Sequence, residues 1–243
     1  MNLLELLEAD LAYRTQRAQG LLPAQQLGVA LAVLGGNTFQ SHIGFGLVVS
    51  QSTVSRAPSN REYDFVNRKQ YHSLNAMVIA TPMLKAIAVN SSFPGRSHDS
   101  RIFKETRIYE DLRTGNKRGI LLGDSAYAAD RFLLKPILRP RTEAERRYTT
   151  AVCRGRVVVE NYFGVLKRQF HILHAEMRYS PSRSSEIIGV CCCLRNFAAD
   201  HSEPTFDEEQ EDENGNQPES TASPDNISGQ VFRDQVIQTY FSE

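Results

Sequence analysis

The chain has no long uninterrupted apolar run, no cysteine spacing that suits a zinc site, and no acidic residue between Asp10 and Glu62. The first absence leaves nothing that could serve as a membrane-spanning helix, which needs about 20 consecutive apolar residues. The four cysteines, three of them consecutive at Cys191, Cys192 and Cys193, fit neither a metal-binding pattern nor a disulfide framework. They read as buried reduced thiols. The first ten residues mix acids with leucines, where a secretory signal would need a basic start and an unbroken apolar core. An intracellular protein is expected. A length of 243 residues, 41% of them hydrophobic, suits one medium domain with appendages.

The formal net charge is zero, but its distribution is uneven. From His201 to Glu243 there are eleven acidic residues and one basic, a net charge of minus ten. The remaining 27 basic and 17 acidic residues give residues 1–200 a net charge of plus ten. A basic body suits a polyanionic partner, although ordinary solvated charge would look the same without accompanying motifs.

Two stretches carry the chemistry. In Gly119-Ile120-Leu121-Leu122-Gly123-Asp124, a short apolar run closed by glycines reads as a buried strand. Asp124 stands just past its carboxyl end, where open α/β sheets present their ligands. In Arg154 to Phe170, the residues Val159, Phe163, Leu166 and Phe170 recur at helical spacing. That stripe places Glu160, Arg156, Gly164 and Lys167 on the opposite, polar face. Asp124 and Glu160 could then converge on one divalent cation.

The rest of the chain supplies context. Pro23 is placed to start a helix, Leu27, Ala30, Leu31 and Leu34 form its apolar stripe, and Gly35-Gly36 stops it. Ser50 can cap a following helix that turns Gln51, Ser52, Ser55 and Arg56 outward, with groups suited to base edges and phosphates. Residues 76–80 and 84–89 read as a hairpin around Thr81-Pro82, with Arg68, Lys69 and His72 at its start. Those cations could hold phosphates or keep an exposed strand from aggregating. After the Pro94-Gly95 turn, Ser97 can cap a helix whose first turn holds Asp99, favoured there by the helix dipole. Residues 139–148 read as a turn into a basic helix, His171 and His174 as structural or surface residues, and residues 187–197 as a buried closing helix. Residues 203–230 are too polar to fold, and Val231 to Phe241 regains the spacing of a short docking helix.

Taken together, Leu121 to Tyr127, the Glu160 segment through Lys167, Tyr63 to Asn75, Phe93 to Phe103 and Ile187 to Phe197 resemble the PIF/Harbinger transposases and the nucleases derived from them. The resemblance covers most of residues 21–200. It implies an α/β, RNase H-like nuclease domain that cuts DNA with two Mg²⁺ or Mn²⁺ ions held by two aspartates and a glutamate, preceded by a helix-turn-helix. Asp124 and Glu160 fall on two of those catalytic positions, with Asp99 as a neighbouring metal candidate. Gln51, Ser52, Arg56, Arg68, Lys69, Arg156 and Lys167 are the candidate DNA contacts.

One piece is missing. The family's first aspartate stands in an Asp-Gly-Thr-His setting, which this sequence lacks, and Ala57-Pro58 already resembles family sequence beyond that strand. In the RNase H-like order 3-2-1-4-5 the lost strand is the central one. The expected organisation is a helical helix-turn-helix unit over residues 1–56, a truncated nuclease domain over 57–200, and an acidic disordered tail with a short terminal helix over 201–243. Expected function is that of a nuclear protein, with the cytoplasm as a second compartment. It is either an impaired metal-dependent DNA nuclease or a catalytically inactive derivative that binds DNA or, through its acidic tail, a protein. A non-functional fragment is the third alternative.

Overall fold

The computed structural model describes residues 2–11, 22–36, 73–95, 97–174, 177, 179–201 and 225–242. The chain divides into two units: Met1–Pro58 with Leu166–Ser180, and Ser59–Val165 with Pro181–Glu243.

In the first unit, helix α1 (Leu3–Leu11) starts on a reciprocal cap. Glu5 N–H donates to Asn2 Oδ1 and Asn2 N–H donates to Glu5 Oε2, both at 2.9 Å. Helix α2 (Pro23–Gly36) begins at Pro23 and ends at the glycine pair, as its residues predict. Its stripe is less buried than expected: Leu34 is buried, whereas Ala30 and Leu31 are exposed.

The second unit opens on an antiparallel hairpin, β1 (Leu74–Ala80) and β2 (Ala86–Pro94). Its turn carries Leu84 in the left-handed region at φ 53°. Helices α3 (Asp99–Lys104) and α4 (Arg107–Thr114) follow. His98 rather than Ser97 occupies the N-cap of α3, and it makes no side-chain cap; the Ser97 carbonyl instead accepts from Asn75 Nδ2 at 3.1 Å. Thr106 does cap α4, accepting from Tyr109 N–H.

Strand β3 (Leu121–Leu122) pairs in parallel with β4 (Leu133–Leu134), forming a second two-stranded sheet separate from the hairpin. Here the buried-strand expectation needs correction, because Ile120 is 54% exposed and Leu122 43%. A strand two residues long with a neighbour on one edge has too few contacts to bury both faces.

Helix α5 (Glu143–Gln169) starts on a Thr142-x-x-Glu145 capping box, Glu145 N–H donating to Thr142 Oγ1 and Thr142 N–H to Glu145 Oε2, each at 3.2 Å. Within the second unit its buried side chains are Tyr148, Val152, Tyr162 and Val165, so the buried stripe passes through Tyr162 and leaves Val159 and Phe163 half-buried.

Helix α6 (Pro181–Asp200) packs on β2. Asn196 accepts from Ala86 N–H at 2.8 Å and donates to the Ala86 carbonyl at 2.7 Å, and Lys85 pairs with Asp200. As expected, Cys191 and Cys192 are buried, but Cys193 and Cys153 are exposed. Helix α7 (Ile227–Tyr240) begins four residues before the expected docking segment, inside the stretch read as too polar to fold. The reason is Asp225, which holds Lys135 at 2.6 Å and Arg233 at 3.6 Å and accepts from Ala129 N–H at 3.1 Å. Ile237 then joins Leu134, Tyr148 and Val152 in one core cluster, and Phe241 stacks edge-on against Tyr148.

The other cluster comprises Met77, Ile102, Phe103, Phe132 and Leu133. Edge-to-face contacts among Phe103, Tyr109, Tyr127 and Phe132 knit α3 and α4 to the stretch that links β3 to β4. This packing fixes the direction in which the chain leaves β3.

Candidate active site

A cavity of about 410 Å³ separates β1 from β3. Residues 75–80 line one wall, residues 120–124 another, and α5 contributes Arg156, Val158, Val159 and Phe163. The helix comes close to β3 because position 155 is glycine: a Cβ there would stand 2.3 Å from Leu122 Cδ1. The polar groups gather at one end. Asp124 leaves β3 in an Asx turn, with Ala126 N–H donating to its Oδ1 at 2.8 Å. Asp99, in the first turn of α3, accepts at Oδ1 from Asn75 Nδ2 at 2.6 Å.

Tyr127 ties these groups together electrostatically. Burial above all raises the pKa of its hydroxyl, and the neighbouring carboxylates of Asp99 and Asp124 raise it further, while Arg156 pulls it down. The aspartate pair, the phenol and the guanidinium therefore share one field. Arg156 is 19% exposed and also reaches Glu160 one turn along α5, at 3.8 Å.

Residues 50–196, well over half of the chain, match a protein-family description that reads "DDE superfamily endonuclease". The chain belongs to the DDE endonuclease family. It is similar to the proteins titled "Putative nuclease HARBI1" of Rattus norvegicus, Bos taurus and Homo sapiens, at 28%, 27% and 26% identity, with 82% of this chain and 74% of each relative covered. Those relatives bear out the harbinger resemblance. No solved structure matches. The alignment spans 257 positions, whereas 82% of 243 residues is about 199, so about 58 aligned positions have no residue in this chain.

In a DDE endonuclease the test of such a site is its donor set. Asp99 and Asp124 line the cavity; Glu160 does not, and its side chain is 58% exposed. Among the described residues no group of three His, Cys, Asp or Glu side chains is placed to hold a metal ion. The site also carries a guanidinium, a fixed positive charge that opposes cation binding. Two ions repel each other and need a carboxylate between them, so the described residues do not fit a two-ion centre.

The remaining candidates divide simply. Gln51, Ser52, Arg56, Arg68 and Lys69 lie outside the described residues. Lys167 is exposed and groups with the first unit. His171 and His174 are exposed, their rings 5.5 Å apart. Sequence reasoning assigned no role to Asn75 or Tyr127. Asn75 sits at the open end of a strand otherwise apolar from Leu74 to Ala80, and that lone amide was the available signal. Tyr127 stands three residues after Asp124, a spacing at which a turn brings the two side chains together.

Proposed function

We propose that this DDE-family chain binds DNA through its basic body and that its own phosphodiester cleavage is reduced close to background. One observation carries the reading: the cavity brings together Asp99 and Asp124 with Arg156, and leaves Glu160 outside. DDE endonucleases generally rely on divalent metal ions, and two-ion chemistry needs a carboxylate between the ions to hold the attacking and leaving oxygens in line. Two aspartates beside a guanidinium give a weak single-ion site at best.

The same reading places the chain in an RNase H-like fold without its central strand. A hairpin and a separate parallel pair, facing each other across a cavity, are what the order 3-2-1-4-5 leaves when strand 1 is removed. The relatives carry about 58 aligned positions that this chain lacks, a number sufficient for a strand and its connections. In the proposed nuclear role, Arg56, Arg68, Lys69 and Lys167 meet phosphates, while the acidic segment limits non-specific attachment.

The test is a plasmid-nicking assay with Mg²⁺ or Mn²⁺, run beside the double variant Asp124→Ala, Glu160→Gln, with gel-shift binding to duplex DNA in the same buffers. Nicking at the level of the double variant, together with salt-sensitive binding, is the expected result. Nicking well above that variant would overturn the claim of impairment, and no binding at low salt would overturn the DNA role.

A further inference from the structure

We infer that the cavity between the two small sheets is a slot for a β-strand donated by another polypeptide chain, an extended and mainly apolar segment such as a family member with the unmatched positions would supply. The inference rests on the reading that the central strand is absent, but not on the level of cleavage.

The shape of the lining argues for a strand. Successive side chains of a β-strand point to opposite faces, so a cavity lying on a face is lined by every second residue. Here the lining is consecutive on both sides, 75–80 from β1 and 120–124 around β3. Consecutive residues meet a cavity along a strand edge, where backbone N–H and C=O groups project. β1 pairs with β2 on one edge and has no backbone partner on the other among the described residues. β3 is bonded to β4 through Leu121 N–H to the Phe132 carbonyl and Gly123 N–H to the Leu134 carbonyl, which leaves its opposite edge toward the cavity. Two facing edges are what a single inserted strand can satisfy at once.

The chemistry of the walls sets the composition of the guest. Val158, Val159, Phe163, Phe103 and Leu133 also line the cavity, so an inserted strand meets apolar groups. Ile120 and Leu122, exposed in the free chain, would be covered by it. The seven residues of β1 set the length. At the end beside Asp99, Asp124 and Arg156 the guest carries a polar residue, and an acid there finds the guanidinium.

The experiment uses the full chain and a fluorescein-labelled heptapeptide of six valine and isoleucine residues with an aspartate at one end and blocked termini. Fluorescence anisotropy should show saturable binding, and hydrogen exchange should slow at least tenfold at the amide of Leu122 and at the amides of 75–80 that do not bond to β2, whereas Leu121 and Gly123 already donate to β4. The same peptide with every backbone amide N-methylated cannot donate to either edge and should not bind. Equal binding by the methylated peptide, or binding that leaves exchange at both edges unchanged, overturns strand insertion. Strong protection of both edges in the free chain with the peptide excluded means that the chain's own residues fill the slot. Protection that rises with protein concentration alone points to a second copy. Either result overturns donation by a different chain. A chain that nicks DNA without peptide refutes the proposed impairment and leaves anisotropy and exchange to judge the slot.

Discussion

Replacing Asp225 by alanine should loosen the terminal helix more than any surface change in the second unit. The carboxylate holds the Lys135 ammonium at 2.6 Å and the Arg233 guanidinium at 3.6 Å, and it accepts from Ala129 N–H at 3.1 Å. The Lys135 side chain is 8% exposed and Asp225 15%, so this pair belongs to the class in which loss of one member strands the other away from water. Such losses cost about 3–5 kcal/mol. The freed Ala129 amide adds about 1 kcal/mol, while Arg233 keeps Asp234 at 3.1 Å and can turn outward at little cost. Lys135 retains one bond, to the Tyr127 carbonyl at 2.9 Å, which favours the lower end of that range. About 4 kcal/mol is therefore expected, against a typical domain stability of about 5–15 kcal/mol. Urea unfolding followed by circular dichroism reads the change, and hydrogen exchange over 227–240 shows whether α7 detaches before the rest melts. Adding Lys135→Met to Asp225→Ala removes the stranded charge and should restore more than half of the loss. The reasoning fails if Asp225→Ala lies within about 0.5 kcal/mol of the parent, a difference typical of ordinary surface substitutions. It also fails if the second substitution restores nothing.

Thiol chemistry and acid stability provide two further checks. Burial pushes the Cys191 thiol up to about 12 and raises Cys192 as well, whereas Cys153 and Cys193 are exposed. A disulfide reagent at pH 8 should count two fast thiols in the native chain and four in urea; a third fast thiol would contradict the burial of α6. Glu145 is held below the usual carboxylate range by the backbone N–H of Arg141 and then that of Thr142. A lowered folded pKa contributes stability above the unfolded value of about 4.3 that is lost as pH falls through the folded value. Glu145→Gln should thus flatten the acid limb of Tm against pH below about 4.3, and parallel acid limbs would rule the box out as its source.

Local signals in the sequence carried as far as local physics reaches. The hairpin, the start of α2 at Pro23 and the position of Asp124 after β3 are set by residues within a few places of each other, and all are observed. Of the expected stripe Val159, Phe163, Leu166 and Phe170, the last two are buried, but Val159 and Phe163 are half-buried and Tyr162 takes the buried place. Adjacent helical residues differ by about 100°, and the apolar run from Val157 to Val159 does not say which way the stripe turns. The exposure of Ile120 and Leu122 was not legible, because apolarity reports what a strand can bury and not whether neighbours exist to cover it. Ser97 has the chemistry of a cap, but Asn75 draws its carbonyl into the bond network of Asp99, a long-range contact that no local rule anticipates. The early start of α7 depended on Lys135, ninety positions upstream of Asp225, so the acid read as one more solvated charge. In the same way, Glu160 is expected at a metal from its segment alone, yet it lies outside the cavity lining and its side chain is 58% exposed.

The amide of Asn196 has a consequence for assembly. By engaging both the N–H and the carbonyl of Ala86, this side chain stops another molecule from extending the hairpin there by backbone pairing. Sheet growth through β1 and β2 is then one-directional, open on the β1 side and blocked at the start of β2. A segment taken up between β1 and β3 would spend both its edges inside the molecule and offer no fresh one outside. Association by this route should stop at one guest per chain, in a discrete complex and not a fibril.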